Sequence, residues 1–212
     1  MGKKISLMWE FIRKIMHLSG LLIIILHTAL LNHFSDRIAI MVLTGILILL
    51  LELERIRLDH RPKLMKVVSG IFRPCETNHV SGAAFFIIST IIAFSAFEYW
   101  IALVAMFMTV FGDMFAALFG RAFGKKKIHR YKTWVGTFSG LFANLLVGIF
   151  FIPQFPAVYV PMAIVATLVE LLTHKLDDNL TVPLFAGFVG QMIVSYTDIS
   201  LPPIDFTFLG LF

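Results

Sequence analysis

The sequence predicts an all-α fold: a polytopic transmembrane helical bundle. Three observations carry that reading. Of the 212 residues, 58% are hydrophobic, with a mean hydropathy of +0.88, more apolar surface than a soluble chain of this length can hide. Apolar runs of roughly helix-spanning length recur along the whole chain. The charged residues, only 15% of the total, are gathered mainly between those runs.

Seven runs are long enough, or nearly so, to cross as helices: 16–34, 37–53, 80–97, 99–120, 134–152, 157–173 and 180–196. The connections set their orientation. Lys3, Lys4, Arg13 and Lys14 precede the first run. Arg55, Arg57, Arg61, Lys63, Lys66 and Arg73 follow the second, Arg121, Lys125, Lys126, Lys127, Arg130 and Lys132 follow the fourth, and Lys175 follows the sixth. Of the 18 basic residues, Arg37 alone falls on the other side. The bias predicts a cytoplasmic N-terminus and an external C-terminus. No small-residue cleavage site follows the first run, which therefore reads as a retained helix. In the longest connection, 54–79, Leu58, Leu64, Met65, Val68 and Phe72 alternate with basic residues. That pattern suits either a helix lying in the interface or a solvated basic loop. The tail, 197–212, contains Pro202 and Pro203 and is too short to span. No repeat divides the chain, which reads as one integral-membrane catalytic domain over 1–212. Cys75 is the single cysteine, which excludes an internal disulfide and a cysteine-cluster metal site.

Charge inside a bilayer costs about 2.5–3.5 kcal/mol on insertion scales, so carboxylates within or beside the runs mark candidate sites. Glu52, Asp113, Glu170, Asp177 and Asp178 all fall toward the predicted cytoplasmic side, although the spans were oriented by Lys and Arg alone. In the fourth run Gly112, Ala116, Gly120 and Gly124 recur every fourth residue, a stripe that lets another helix approach closely. Asp113, Ala117 and Arg121 form the neighbouring stripe. The basic connection 124–133 suits nucleotide phosphates or anionic lipid headgroups. Lys132 and Thr133 open the fifth run, whose Gly136, Gly140, Asn144 and Gly148 repeat the four-residue spacing. A lysine and a hydroxyl beside free amides at a helix start suit an anion. Near the end of the sixth run, Glu170, His174, Asp177 and Asp178 share a helical face if the helix continues that far. With Asn179 they are hard oxygen ligands of the kind that hold Mg²⁺ beside phosphates. The same Asp-Asp-Asn also suits an N-cap before the seventh helix, with Pro183 in its first turn. At the start of the chain, Glu10, Arg13, Lys14 and His17 fall on one helix face, either a functional group of residues or an anchoring basic flank. No P-loop is present, because Gly120-x-x-x-Gly124-Lys125-Lys126 is one residue short and lacks the Ser or Thr. Protein-kinase and nucleophile-elbow elements are absent as well.

Six pieces extend over nearly the whole chain: Arg13-Lys14-x-x-His17; Glu52-x-x-Arg55; Glu76 followed by Ser81-Gly82; Gly112-Asp113 through Gly120-Arg121-x-x-Gly124; Lys132-Thr133-x-x-Gly136; and Asp177-Asp178-Asn179-Leu180-Thr181-x-Pro183. Together they resemble the CTP-dependent lipid kinases, which include dolichol, phytol and CTP-dependent diacylglycerol kinases and look related to the phosphatidate cytidylyltransferases. The last piece is the most specific. One departure bears on the reaction: Lys132-Thr133-Trp134 looks more like the cytidylyltransferase signature than the Lys-Ser-Leu-Glu-Gly of the kinases, and Val135 stands where a Glu is expected. The Asp-Asp-Asn-Leu-Thr run points back to the kinases.

The resemblance implies transfer of the γ-phosphoryl of CTP to a membrane-dissolved lipid alcohol of polyprenol, dolichol or phytol type. Alternatives are a diacylglycerol acceptor and a cytidylyltransferase that makes a CDP-lipid. Asp113, Asp177 and Asp178 are the candidates for Mg²⁺ ligation or for taking the hydroxyl proton. Arg121, Lys125, Lys132, Thr133 and Asn179 are the candidates for nucleotide phosphates. Arg13, Lys14, His17, Glu52, Arg55, Glu76 and Glu170 are supporting residues. The expected partners are the lipid alcohol, CTP and anionic headgroups, not nucleic acid. The expected location is the plasma membrane in a prokaryote, or the endoplasmic reticulum or a plastid membrane in a eukaryote, with the site facing the cytoplasm. A transporter or scaffold would need polar residues continuing to the far side, where the run from Val182 to Val189 is apolar. The topology has a direct test. In a Cys75→Ser background, Lys126→Cys should react with an impermeant thiol reagent from the cytoplasmic side only, and labelling from outside would invert the assignment.

Overall fold

The computed structural model describes residues 20–60, 81–129, 132–173 and 176–203. These residues form seven helices and one two-stranded hairpin. In chain order they are α1 (Gly20–His33), α2 (Asp36–His60), α3 (Gly82–Ala96), α4 (Tyr99–Phe123), β1 (Lys127–His129), β2 (Lys132–Thr133), α5 (Trp134–Phe151), α6 (Pro156–Leu172) and α7 (Asp178–Thr197). The helices follow the apolar runs of the sequence, and the fold is all-α. By length and composition, α4, α5 and α7 can cross a membrane, whereas α1, α3 and α6 are shorter apolar helices. With 15 residues, α3 rises about 22 Å against a hydrocarbon core of roughly 30 Å.

Two elements depart from expectation. Helix α2 does not stop at residue 53 but runs on to His60, into the connection read as an interfacial helix or loop. Its charges explain the extension: Arg55 pairs with Glu52 and Arg57 with Glu54, both at i,i+3 spacing, a pattern that supports helix. Ser35 caps its start, accepting from the Ile38 N–H at 3.4 Å. Residues 61–79 of that connection lie outside the described residues. The second departure is the hairpin. The basic connection after α4 forms β1 and β2, paired antiparallel with Lys127 opposite Thr133 and His129 opposite Lys132. Strands this short show no readable alternation.

The chain divides into two compact units, Met1–Ile91 and Ile92–Phe212. In the first, a Cβ on Gly20 of α1 would lie 2.9 Å from Phe86 of α3, so the glycine lets that ring pack against the α1 backbone. His27 is buried there with its Nε2 3.9 Å from Asp36 Oδ1.

In the second unit α4 packs against α5, α6 and α7, and α6 packs against both α5 and α7. The core they share includes Ile101, Val104, Met108, Val147, Met162 and Ala186. The α4 and α5 stripes run antiparallel to each other. Gly112 faces Asn144, Ala116 faces Gly140, Gly120 faces Gly136, and Gly124 faces Thr133. The last of the α5 stripe, Gly148, instead admits the Tyr159 ring of α6. At the other end of α4 the Glu98 N–H donates to Gln191 Oε1 of α7 at 2.8 Å, and Trp100 Nε1 donates to Pro202 O at 2.8 Å. Helices α4 and α7 are therefore antiparallel. The C-terminal ends of α4 and α6, the N-terminal ends of α5 and α7, and the hairpin all share one end of this unit.

A methyl group at the α4–α5 crossing has nowhere to go. A Cβ at Gly136 would lie 2.7 Å from the Ala116 carbonyl oxygen, whereas one at Gly45 meets nothing within 4 Å. Gly136→Ala should therefore cost about 1–3 kcal/mol and lower the thermal midpoint in detergent. Gly45→Ala should leave it unchanged or raise it. Equal effects at the two positions would refute the close crossing.

Candidate functional site

At the polar end of the second unit three helix ends meet around one lysine. Lys132 sits on β2, just before α5, and its Nζ donates to the Glu170 backbone oxygen near the end of α6. Its ammonium also lies 3.9 Å from Glu170 Oε1 and 3.8 Å from Asp178 Oδ2. The last carbonyls of a helix lack intrahelical donors and carry the negative end of its dipole, so a cation is stabilised there. Asp178 occupies the first turn of α7, where the dipole favours a carboxylate. The side chains of Lys132, Glu170 and Asp178 are 30%, 12% and 31% exposed. Their charges are largely withdrawn from water but still reachable.

The neighbouring residues are occupied by local structure. Thr133 caps α5, its Oγ1 accepting from the Gly136 N–H at 3.2 Å. The Trp134 N–H donates to the Lys126 carbonyl at 3.2 Å. Two of the amides expected to be free for an anion at this helix start are therefore taken, because the hairpin and the cap consume them. Asp177 caps α7, its Oδ1 accepting from the Asn179 N–H at 2.9 Å, and Asn179 is buried. Asp177, not Asp178, is the cap. With α7 starting at Asp178, Pro183 falls in the second turn rather than the first.

Asp113 is half-buried on α4, and Arg121 lies exposed in the last turn of that helix. Eight residues apart, they are separated by about 12 Å along the axis, too far for a direct ion pair. Lys125, Lys126 and Lys127 are exposed. Glu52 and Arg55 belong to the first unit. There Arg55 Nη2 donates to Glu52 Oε1, and that bond together with the Glu52 charge raises the guanidinium above its ordinary pKa. Arg13, Lys14, His17, Cys75, Glu76 and His174 lie outside the described residues. Among the described residues, no three His, Cys, Asp or Glu side chains gather as a metal-holding group, so Asp113, Asp177 and Asp178 do not form a preassembled centre.

The structure adds one polar residue that the sequence gave little reason to single out. Asn144, 1% exposed, donates from Nδ2 to Thr167 Oγ1 at 3.1 Å, and that hydroxyl in turn donates to the Ala163 carbonyl at 2.8 Å. Because the threonine proton is committed, the amide orientation is fixed and Oδ1 faces Gly112. That oxygen finds no donor among the described residues. Buried acceptors are usually paired, so Asn144 holds an unused acceptor facing Gly112, the chain neighbour of Asp113. Its sequence signal was an amide on the glycine stripe of an apolar run.

The sequence profile of the cytidylyltransferase family matches residues 4–178. The chain belongs to this family. It is 27% identical over 205 residues to a protein of Zea mays named "Probable phytol kinase, chloroplastic", a match covering 86% of this chain and 66% of the maize protein. It is 29% identical over 126 residues to "Probable phytol kinase 2, chloroplastic" of Glycine max, covering 50% of this chain and 43% of the soybean protein. The chain thus spans two thirds or less of the relatives it matches. No solved structure matches it. The matched region takes in α4, the hairpin, α5 and α6 and ends at Asp178, so the Lys132 cluster lies inside it.

The two aspartates before α7 separate experimentally by their different partners. Asp177→Ala should lower stability by about 1 kcal/mol, whereas Asp177→Asn should be nearly neutral because Asn caps as well. Thermal unfolding of the two variants checks this, and equal losses would show that the carboxylate charge matters beyond capping.

Proposed function

We propose that this chain is a kinase that transfers the γ-phosphoryl of CTP to a lipid alcohol of phytol type, giving CDP and a lipid monophosphate. The observation that carries the reading is the convergence of Lys132, Glu170 and Asp178 where three helix ends meet, inside the region the family profile covers. The names of the maize and soybean relatives favour phytol as the acceptor class, with polyprenol and dolichol as longer isoprenoid relatives of it. Phosphoryl transfer asks a protein chiefly for positioning and charge neutralisation, and this arrangement is suited to both.

In this reading Lys132 exchanges its carboxylate partners for CTP phosphate oxygens, and Arg121 and Lys125 add positive charge at the same end. Asp113, half-buried on α4, is the candidate acceptor of the hydroxyl proton. Mg²⁺ usually keeps waters and needs only one or two protein carboxylates beside substrate phosphates. Glu170 and Asp178, which already direct oxygen at a cation, would hold it. Bound there, the ion would neutralise charge on the transferring group. Asp177, spent on its cap, leaves the set of proposed metal ligands. The positive-inside pattern favours a site facing the cytoplasm, where the nucleotide is.

A second reading has a specific motive. Lys132-Thr133-Trp134 resembles the cytidylyltransferase signature, and in that chemistry the products are a CDP-lipid and pyrophosphate. Purified protein given labelled CTP, Mg²⁺ and a panel of phytol, polyprenol, diacylglycerol and their monophosphates decides between them. The expected result is CDP release with phosphorylated phytol-type alcohol, and less turnover with equal ATP. Asp113→Asn and Lys132→Met should each lower kcat/KM about a hundredfold or more while the protein still inserts. Release of pyrophosphate would overturn the kinase assignment, and near-normal activity of Asp113→Asn would remove that residue from the site.

A further inference from the structure

On the flank of the α4–α5 crossing lies a groove of about 510 Å³ lined by Phe115 and Phe119 of α4 and by Trp134, Phe138, Ser139 and Phe142 of α5. Its origin is the glycine stripe. Phe115 and Phe119 each precede a small residue of the α4 stripe, and Ser139 precedes Gly140 of the α5 stripe. Where small residues bring two backbones together, the large side chains beside them become the walls of a trough. Aromatic stacking stiffens those walls: Phe115 stacks on Phe119 with centroids 5.7 Å apart, and Trp134 on Phe138 at 5.8 Å. The hydroxyl of Ser139 donates to the Val135 carbonyl at 2.8 Å. The polar side chain is thereby satisfied within the helix, and the lining presents an essentially apolar surface.

One end of this groove is chemically different from its length. Trp134 directly follows Lys132 and Thr133 in the chain, its N–H donates to the carbonyl of the exposed Lys126, and the exposed Lys127 pairs with Thr133. The trough thus runs apolar along two helices that can cross a membrane and terminates in positive charge. Its volume lies within the range of pockets that hold one small ligand.

We infer that this groove binds the hydrocarbon tail of the lipid alcohol, with the alcohol end of the molecule directed toward the basic end of the groove. The inference rests on the kinase reading for its substrate and on the groove for its place. Charge complementarity selects the occupant: the anionic monophosphate formed in the reaction meets the lysines, and its single chain fits the single trough. Bulk phospholipid would also wet an apolar face, but it would be exchanged without regard to the alcohol.

Two measurements test this. First, a 20-carbon isoprenoid alcohol carrying a diazirine on its chain is photolysed with the purified protein in nanodiscs. Adducts should map to the groove segments of α4 and α5 and be suppressed by unlabelled alcohol, but not by excess phosphatidylcholine. Adducts elsewhere, or equal suppression by phosphatidylcholine, would overturn the inference. Second, Ser139→Phe, which fills the trough, should raise KM for the 20-carbon alcohol about tenfold, equivalent to losing the burial of roughly two methylenes. With a five-carbon alcohol, kcat/KM should change less than about twofold. Equal losses for both chain lengths would count against a tail site. If that variant does not fold, Phe138→Ala provides the same comparison from the opposite change in volume. If no alcohol is phosphorylated at all, the kinase reading fails, and the photolabelling still decides the groove by itself.

Discussion

Where Gly120 crosses Gly136, no side chain separates α4 from α5, and the geometry of the second unit depends on that contact. A Cβ on either glycine would lie about as close to the opposite backbone as 3.2 Å or less. In hydrocarbon, helices gain nothing by hiding apolar surface from each other, so close packing of small residues is what holds them. The crossing has two consequences for chemistry. It fixes the start of α5 against the end of α4, which closes the short hairpin between them and places Lys132 and Thr133. It also pushes the flanking aromatics outward into paired walls. The polar end and the aromatic trough are thus two results of one packing decision.

Lys132 then ties the remaining helices to that pair. Its hydrogen bond goes to a carbonyl near the end of α6, and its charge lies within 4 Å of carboxylates on α6 and α7. The carboxylate distances, at 3.8 and 3.9 Å, are beyond hydrogen-bond reach, so the ammonium is attracted by both acids but tied to neither. That looseness suits the exchange of partners proposed for Lys132. A lysine is a compact charge on a flexible stem with three donors, and it can move from carboxylate to phosphate without moving a helix. An arginine locked in a bidentate pair would have to break two aligned bonds first.

Much of this was legible in the sequence, and the exceptions have physical reasons. Among the described residues the helices follow the apolar runs, because a 3.6-residue helix in lipid must be apolar nearly all round. The four-residue spacing of Gly112, Ala116, Gly120 and Gly124 announced a close partner, and the partner is the matching stripe on α5. Helix α2 outlasts its apolar run because Glu–Arg pairs at i,i+3 support helix beyond residue 53, where the sequence left an interfacial helix and a solvated loop both open. The hairpin was missed because its strands of three and two residues are too short to alternate visibly. The gathering of Lys132 with Glu170 and Asp178 was only half visible. Sequence placed the acids on one side, but which acid met the lysine depended on Asp177 being taken by the cap. Asn144 could not have been singled out by spacing, because its importance lies in the commitment of the Thr167 proton, a fact of three dimensions.

In the proposed reaction the two substrates do not share a solvent, and the asymmetry of the second unit bears on how they would meet. A nucleotide triphosphate cannot enter hydrocarbon, and a long alcohol does not leave it. The two must meet where apolar walls end and basic residues begin. The structure has such a boundary at Trp134, the first residue of α5. Before it the chain is cationic and paired to carboxylates, and after it the exposed side chains of α5 are aromatic and aliphatic. Fixing that boundary needs a rigid junction, since a shift of one helical turn would carry the lysine about 5.4 Å along the bundle. The glycine crossing, the Thr133 cap and the Lys126–Trp134 hydrogen bond supply three independent restraints on the first turn of α5. Those restraints, on the helix start that follows Lys132, support the reading of this end of the unit as the place of the proposed chemistry.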